Sequence, residues 1–130
     1  MIKLTFLLRR RPELEPNEFR RYWREEHAPL VAKHADTLRI RRYVQTHPVD
    51  NDLDGALAES RGTQIEPYDG VAQLWWDSLE DLHAVLADEA GQRASVQLLE
   101  DEQKFVDLPA CAIWLGEEHV VVGTSATRAP

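Results

Sequence analysis

The chain has 130 residues at 14.9 kDa, is 43% hydrophobic and 29% charged, and carries a formal net charge of −8. That length predicts one domain with its own hydrophobic core, and a single cysteine, Cys111, excludes a disulfide framework or a cysteine-built zinc site. Residues 1–49 hold eleven Lys and Arg against six Asp and Glu, whereas residues 50–130 hold four against seventeen; the acidic remainder would repel phosphates, so no nucleic-acid partner is expected.

The opening MIKLTFLLRRR places its charges after a short apolar run, the wrong order and length for a signal peptide. No stretch approaches transmembrane length. A cytoplasmic protein with no membrane partner is therefore expected. Residues 2–9 alternate as a strand, with Ile2, Leu4, Phe6 and Leu8 on one face. A helix follows over about 16–35, with Pro16 in its first turn and Glu15, Asn17 and Glu18 at its positive end. Phe19, Tyr22, Trp23, His27, Leu30, Val31 and His34 share one apolar stripe. Pro29 lacks the N–H that would bond the Glu25 carbonyl, so the helix should kink or restart there.

Residues 38–47 read as a second strand, with Arg39, Arg41, Tyr43, Gln45 and His47 on a polar face suited to lining a cavity. Residues 48–69 exceed the usual connection length and contain at most a short helical turn. The third strand spans 70–77, with Val71, Gln73 and Trp75 opposite Ala72, Leu74 and Trp76. Ser78 with Asp81 starts a helix carrying Leu79, Leu82, Val85 and Leu86, and a second helical piece covers about 91–105. The last strand spans roughly 110–122. The domain ends there, and the tail 123–130 is expected to be disordered. The order β-α-β-β-α-β is that of the ferredoxin-like α+β fold, an antiparallel four-stranded sheet with helices on one face. The uncovered face calls for a second copy of the chain, sheet on sheet.

Within this frame, His27 is the candidate acid/base: one titratable group in an apolar stripe beside a forced irregularity. Tyr43 can donate to a developing enolate oxygen. Gln45 and His47 share its face, and Gln45 suits a carbonyl. Asp69, in the PYDG turn, supplies turn chemistry or orients a histidine. Trp75 and Trp76 point to opposite faces, so one of them, with Gln73 nearby, can border a substrate. Trp23 and Trp114 read as core. His34 lies seven residues after His27, not the i,i+4 spacing of a metal pair, so no metal is expected.

FRRYWREEHAPLV (19–31), with its YW pair and H-x-P-L, resembles the signature of the EthD domain family. RRYVQTH (41–47), YDGVAQLWWDS (68–78), LEDEQKFVD (99–107) and WLGEEHVV (114–121) fit the same family in order, so that the resemblance covers Ile2 to Val122. It implies a dimeric α/β barrel, two ferredoxin-like sheets closing around internal pockets. The histidine of H-x-P-L, here His27, matches the catalytic histidine proposed in related isomerases and dehydratases. Related barrels include polyketide cyclases, dehydratases, decarboxylases, monooxygenases and haem enzymes, so the fold alone selects no chemistry.

The expected function is a cofactor-independent homodimeric enzyme acting on an apolar, aromatic or polyketide-like carbonyl compound by isomerisation, cyclisation, dehydration or decarboxylation. In this reading His27 is the acid/base, Tyr43 and Gln45 bind the enolate oxygen, and a tryptophan packs on the substrate ring. One alternative is haem or oxygen chemistry, with His27 or His34 as an axial ligand. Another is a non-catalytic dimer that binds a hydrophobic ligand.

Overall fold

The structure, a computed structural model, describes residues 1–124. Strands β1 (Ile2–Leu8), β2 (Arg42–Thr46), β3 (Gly70–Trp76) and β4 (Ala112–Gly116) form one antiparallel sheet in the order β2-β3-β1-β4. Between β1 and β2 runs one helical rod: α1 (Pro16–Tyr22), a π-helical turn (Trp23–His27) and α2 (Ala28–His34). Between β3 and β4 come α4 (Leu79–Ala87) and α5 (Glu89–Glu102), then a 3₁₀ turn (Leu108–Ala110). The architecture is the ferredoxin-like α+β fold expected from the order of elements.

The rod starts where the sequence placed it. Pro16 occupies the first turn, and Glu18 Oε1 accepts from the Glu15 N–H at 3.0 Å. The irregularity falls one turn before Pro29. Trp23 O accepts from the Ala28 N–H in a π turn, which tolerates a residue that cannot donate to Glu25. Phe19, Trp23, His27 and Val31 are all buried at steps of four. Four residues overshoot an α-turn of 3.6, and the wider π turn brings Trp23 and His27 back into line. Ser78 caps α4 by accepting from the Asp81 N–H at 3.1 Å, as its spacing suggested.

Three boundaries differ from the sequence expectation. β2 begins at Arg42, because residues 35–39 continue as turns after α2. The second helical piece is α5, starting at Glu89 and ending at Glu102, so Phe105 lies beyond it in a turn. β4 stops at Gly116, since its only neighbour, β1, ends its pairing at Lys3. The long connection carries a two-turn helix, α3 (Asp54–Arg61), closed by Gly62 at φ 68°. Residues 125–130 of the expected tail lie outside the described residues. No helix among the described residues is long and apolar enough to cross a membrane.

The main core joins sheet and helices through Leu8, Phe19, Trp23, Ala72, Phe105 and Val106. Register places Tyr43, Leu74 and Leu4 on the helix side of the sheet and Val44, Gln73, Thr5 and Trp114 on the other. Trp114 is thus not core: it is 50% exposed, on an edge strand that no helix or strand among the described residues covers. Trp75 also points to this open side. It is buried there because Glu118 accepts from its indole N–H at 2.8 Å while Lys3 and Arg42 lie over its ring.

Gly70 lets β3 pack directly against the Trp23 ring. A Cβ at this position would stand 2.3 Å from Trp23 Cζ3 and 2.6 Å from Cη2, on a ring only 1% exposed. Gly70→Ala is therefore expected to cost about 1–3 kcal/mol of unfolding free energy through overpacking, measured by urea denaturation.

Candidate active site

A cavity of about 50 Å³ lies between sheet and helices, walled by Phe6, Leu8 and Leu74 on the strands, Trp23 and Val31 on the rod, and Leu98 on α5. Three polar residues border it: His27, Tyr43 and Glu102. The sequence reading singled out the first two. Each arrives from a different element: His27 from the end of the π turn, Tyr43 from the middle of β2, Glu102 from the last turn of α5.

His27 is 5% exposed, and its Nδ1 lies 2.7 Å from Asp101 Oδ2. The Tyr22 hydroxyl donates to Asp101 Oδ1, and Lys104 Nζ stands 3.6 Å from the same oxygen. Burial works against the Asp101 carboxylate, but the hydrogen bonds from Tyr22 and His27 outweigh it and hold its pKa below the ordinary aspartate value. A carboxylate on Nδ1 takes the proton-bearing side of a neutral imidazole, leaving the Nε2 lone pair free. No buried side-chain nitrogen or oxygen among the described residues lacks a partner, and Nε2 has none. Nε2 therefore borders accessible space. Burial lowers the His27 pKa and Asp101 partly restores it. Burial and the bond to Asp101 together push the Tyr22 phenol up to about 12, so it stays a donor.

Tyr43 accepts from Gln45 Nε2 at 2.8 Å, which leaves its own O–H hydrogen to donate elsewhere. Gln45 also donates to Trp23 O at 2.9 Å, and its Oε1 meets His47 Nε2 at 2.7 Å. The Gln45 amide is thus committed to the wall: it fixes Tyr43 and completes the hydrogen bonding of the π turn rather than presenting itself to a carbonyl. His47 stacks on Trp23 with ring centroids 4.3 Å apart, outside the cavity wall.

The remaining expected site residues lie elsewhere. Asp69 accepts from the Arg10 backbone N–H at 2.8 Å and from the Arg10 guanidinium at 2.9 Å, tying the PYDG turn to the end of β1. It does not approach a histidine; Asp101 holds that position. Trp76 donates to Leu38 O, in the turns after α2, at 2.7 Å, and Trp75 and Gln73 sit on the opposite side of the sheet. None of the three borders the cavity. His34 pairs with Gln97 at 2.8 Å. No group of three His, Cys, Asp or Glu side chains among the described residues is placed to hold a metal ion.

Asp101 and Glu102 lie in LEDEQKFVD, a segment of the family resemblance, but were not among the candidate site residues of the sequence. The signal was an Asp-Glu pair at the apolar end of a helical stripe, where charged residues are out of place. Their environments push them apart. Burial and the nearby Asp101 charge raise Glu102 to about 7.

Two opposing pH terms follow. His27 has a folded pKa below its unfolded value of 6.5, so the unfolded chain binds the proton first and stability falls as pH drops through 6.5. Glu102 has a folded pKa above its unfolded 4.5, so stability falls as pH rises from 4.5 to about 7. Glu102→Gln is expected to raise the thermal midpoint above pH 7 and to leave it unchanged near pH 4. Asp101→Asn is expected to lower the His27 pKa further, read from imidazole NMR, and to destabilise the fold by about 1–3 kcal/mol.

A family model described as the EthD domain matches residues 11–109. A curated relative from Metarhizium robertsii, named conidial pigment biosynthesis dehydratase EthD, is 26% identical over 118 residues, which cover 89% of this chain and 81% of the relative. The crystal structure of an EthD family protein from Bacillus halodurans superposes with a TM-score of 0.59 at 21% identity, covering 92% of this chain and 99% of that one. An EthD-like protein from Ralstonia eutropha gives 0.61 at 16% identity, over 98% and 96%. Both show the same fold. The matched segment contains every polar residue of the cavity, together with Asp101, and the chain belongs to the EthD domain family.

Proposed function

We propose that this chain is a cofactor-independent acid/base enzyme acting on an apolar, aromatic or polyketide-like carbonyl compound. The observation that carries the reading is His27, buried in an apolar cavity with Nδ1 on the Asp101 carboxylate and Tyr43 on the facing wall. In this mechanism Nε2 takes the proton next to the carbonyl. The C–H electron pair moves to the carbonyl oxygen, and the Tyr43 O–H donates to that oxygen as charge develops. Asp101 stabilises the imidazolium that forms.

Isomerisation, cyclisation, dehydration and decarboxylation can all pass through such an enolate. The name of the Metarhizium robertsii relative, a pigment-biosynthesis dehydratase, favours loss of water among them. At about 50 Å³ the cavity takes the reacting carbonyl and its α-carbon, and the body of the substrate lies toward the mouth.

The open side of the sheet belongs to the same proposal. Leu7, Val44, Val71, Thr5 and Trp114 form a face that no helix or strand among the described residues covers, and a second copy packed sheet on sheet is the occupant. The homodimer is expected in sedimentation velocity runs, and Trp114→Glu is expected to shift it toward monomer.

His27→Asn is expected to lower kcat by 10²–10⁴-fold with the fold intact, the range general acid–base groups supply. A loss of less than about tenfold on an identified substrate would sink the base assignment. Because the base must be neutral and burial depresses its pKa, the acid limb of kcat/KM is expected below pH 6.5.

A further inference from the structure

We infer that Glu102 is a second catalytic residue of this cavity, the carboxylic acid that protonates a departing hydroxyl while His27 removes the α-proton. The inference deepens the acid/base reading above and rests on it.

The argument starts from two consecutive residues on α5 with opposite surroundings. The Asp101 carboxylate is anchored by Tyr22, His27 and Lys104. Glu102, about 100° around the helix, borders the cavity instead and has neither a hydrogen-bond partner nor a counter-ion among the described residues. The titratable groups facing it are His27 from the π turn, Tyr43 from β2, Asp101 from its own helix and Cys111 just before β4. None of them is a resident cation at neutral pH, and Asp101 is an anion. A carboxyl group so placed favours its neutral form, consistent with a pKa of about 7. Burial thus moves the two groups in opposite senses, Glu102 toward its protonated form and His27 toward its neutral form. A pair of groups driven apart in this way divides into acid and base.

This placement selects a reaction class. Isomerisation and decarboxylation expel no hydroxyl, and the proton they require goes to carbon rather than to a leaving oxygen. Elimination of water from a β-hydroxy carbonyl compound needs a donor to the leaving oxygen, because hydroxide is a poor leaving group. His27 Nε2 accepts the α-proton, and the C–H pair becomes the Cα=Cβ bond by way of the enolate. The Cβ–O bond breaks, and its electron pair leaves on the hydroxyl oxygen. That oxygen takes the Glu102 proton and departs as water. Transfer of the imidazolium proton to the Glu102 carboxylate resets both groups. One water is lost, with no oxidant or reductant.

The test compares two probes with one carbon skeleton and different leaving groups, each referred to the unmodified protein: 4-hydroxy-4-phenylbutan-2-one and its O-acetyl ester. Both yield the same enone, followed by its near-ultraviolet absorbance, but acetate leaves without protonation. Glu102→Gln is expected to lower kcat/KM on the hydroxy probe by about 100-fold or more and on the acetate by less than about threefold. The alkaline limb near pH 7 is expected to vanish with it. His27→Asn is expected to impair both probes. Thermal melts of each variant check folding. Equal losses on the two probes in Glu102→Gln would overturn the acid assignment and leave the base standing. Undiminished turnover in His27→Asn would overturn the acid/base reading itself. Failure of the unmodified protein to convert either probe would overturn both.

Discussion

The buried Asp101 carboxylate is where the two helical segments of this protein, α5 and the rod between β1 and β2, lock together. It receives the Tyr22 hydroxyl from α1 and the His27 imidazole from the π turn, two residues about 75 positions away in the chain. A charge taken out of water is costly unless its lone pairs are satisfied, and here both oxygens are. The same bonds orient His27 and set which ring nitrogen holds the proton. One anion thus ties α5 to the first rod and also fixes the state of the candidate base.

Pro29 is the second constraint. Its missing N–H would spoil an ordinary α-helix, and the chain answers with a π turn that ends at His27. That turn leaves the Trp23 carbonyl shared between the Ala28 N–H and the Gln45 side chain. Gln45 in turn holds Tyr43 and His47. The polar face of β2 is therefore bonded to a helix irregularity across the cavity. The aromatic ring of Trp23 completes the joint, because Gly70 lets β3 approach it so closely.

The two faces of the sheet have separate tasks. The helix side encloses a small cavity with three ionisable side chains, shielded enough for burial to govern their protonation. The opposite side carries Trp114, Val44, Val71 and Leu7 and no covering helix or strand among the described residues. Substitutions on the two sides can then vary independently, since residues on one strand alternate between the two faces.

Local pattern was enough to read the architecture. Alternation at period two marked the strands, the apolar stripe marked the rod, and Pro16, Pro29 and Ser78 marked its start, its irregularity and the next helix cap, because these effects act within one turn of chain. His27 and Tyr43 were legible for the same reason: one is a titratable residue in an apolar stripe, the other lies mid-strand on a polar face suited to lining a cavity. Asp101 and Glu102 were not, because their meaning lies in what faces them across the fold. Spacing along the chain carries no information about a contact between residues 27 and 101. Nor could alternation say which tryptophan met the helices or that Asp69 would serve Arg10. Those outcomes depend on strand register and on how two helices settle on one sheet, and burial, which sets the protonation of His27 and Glu102, exists only once they have.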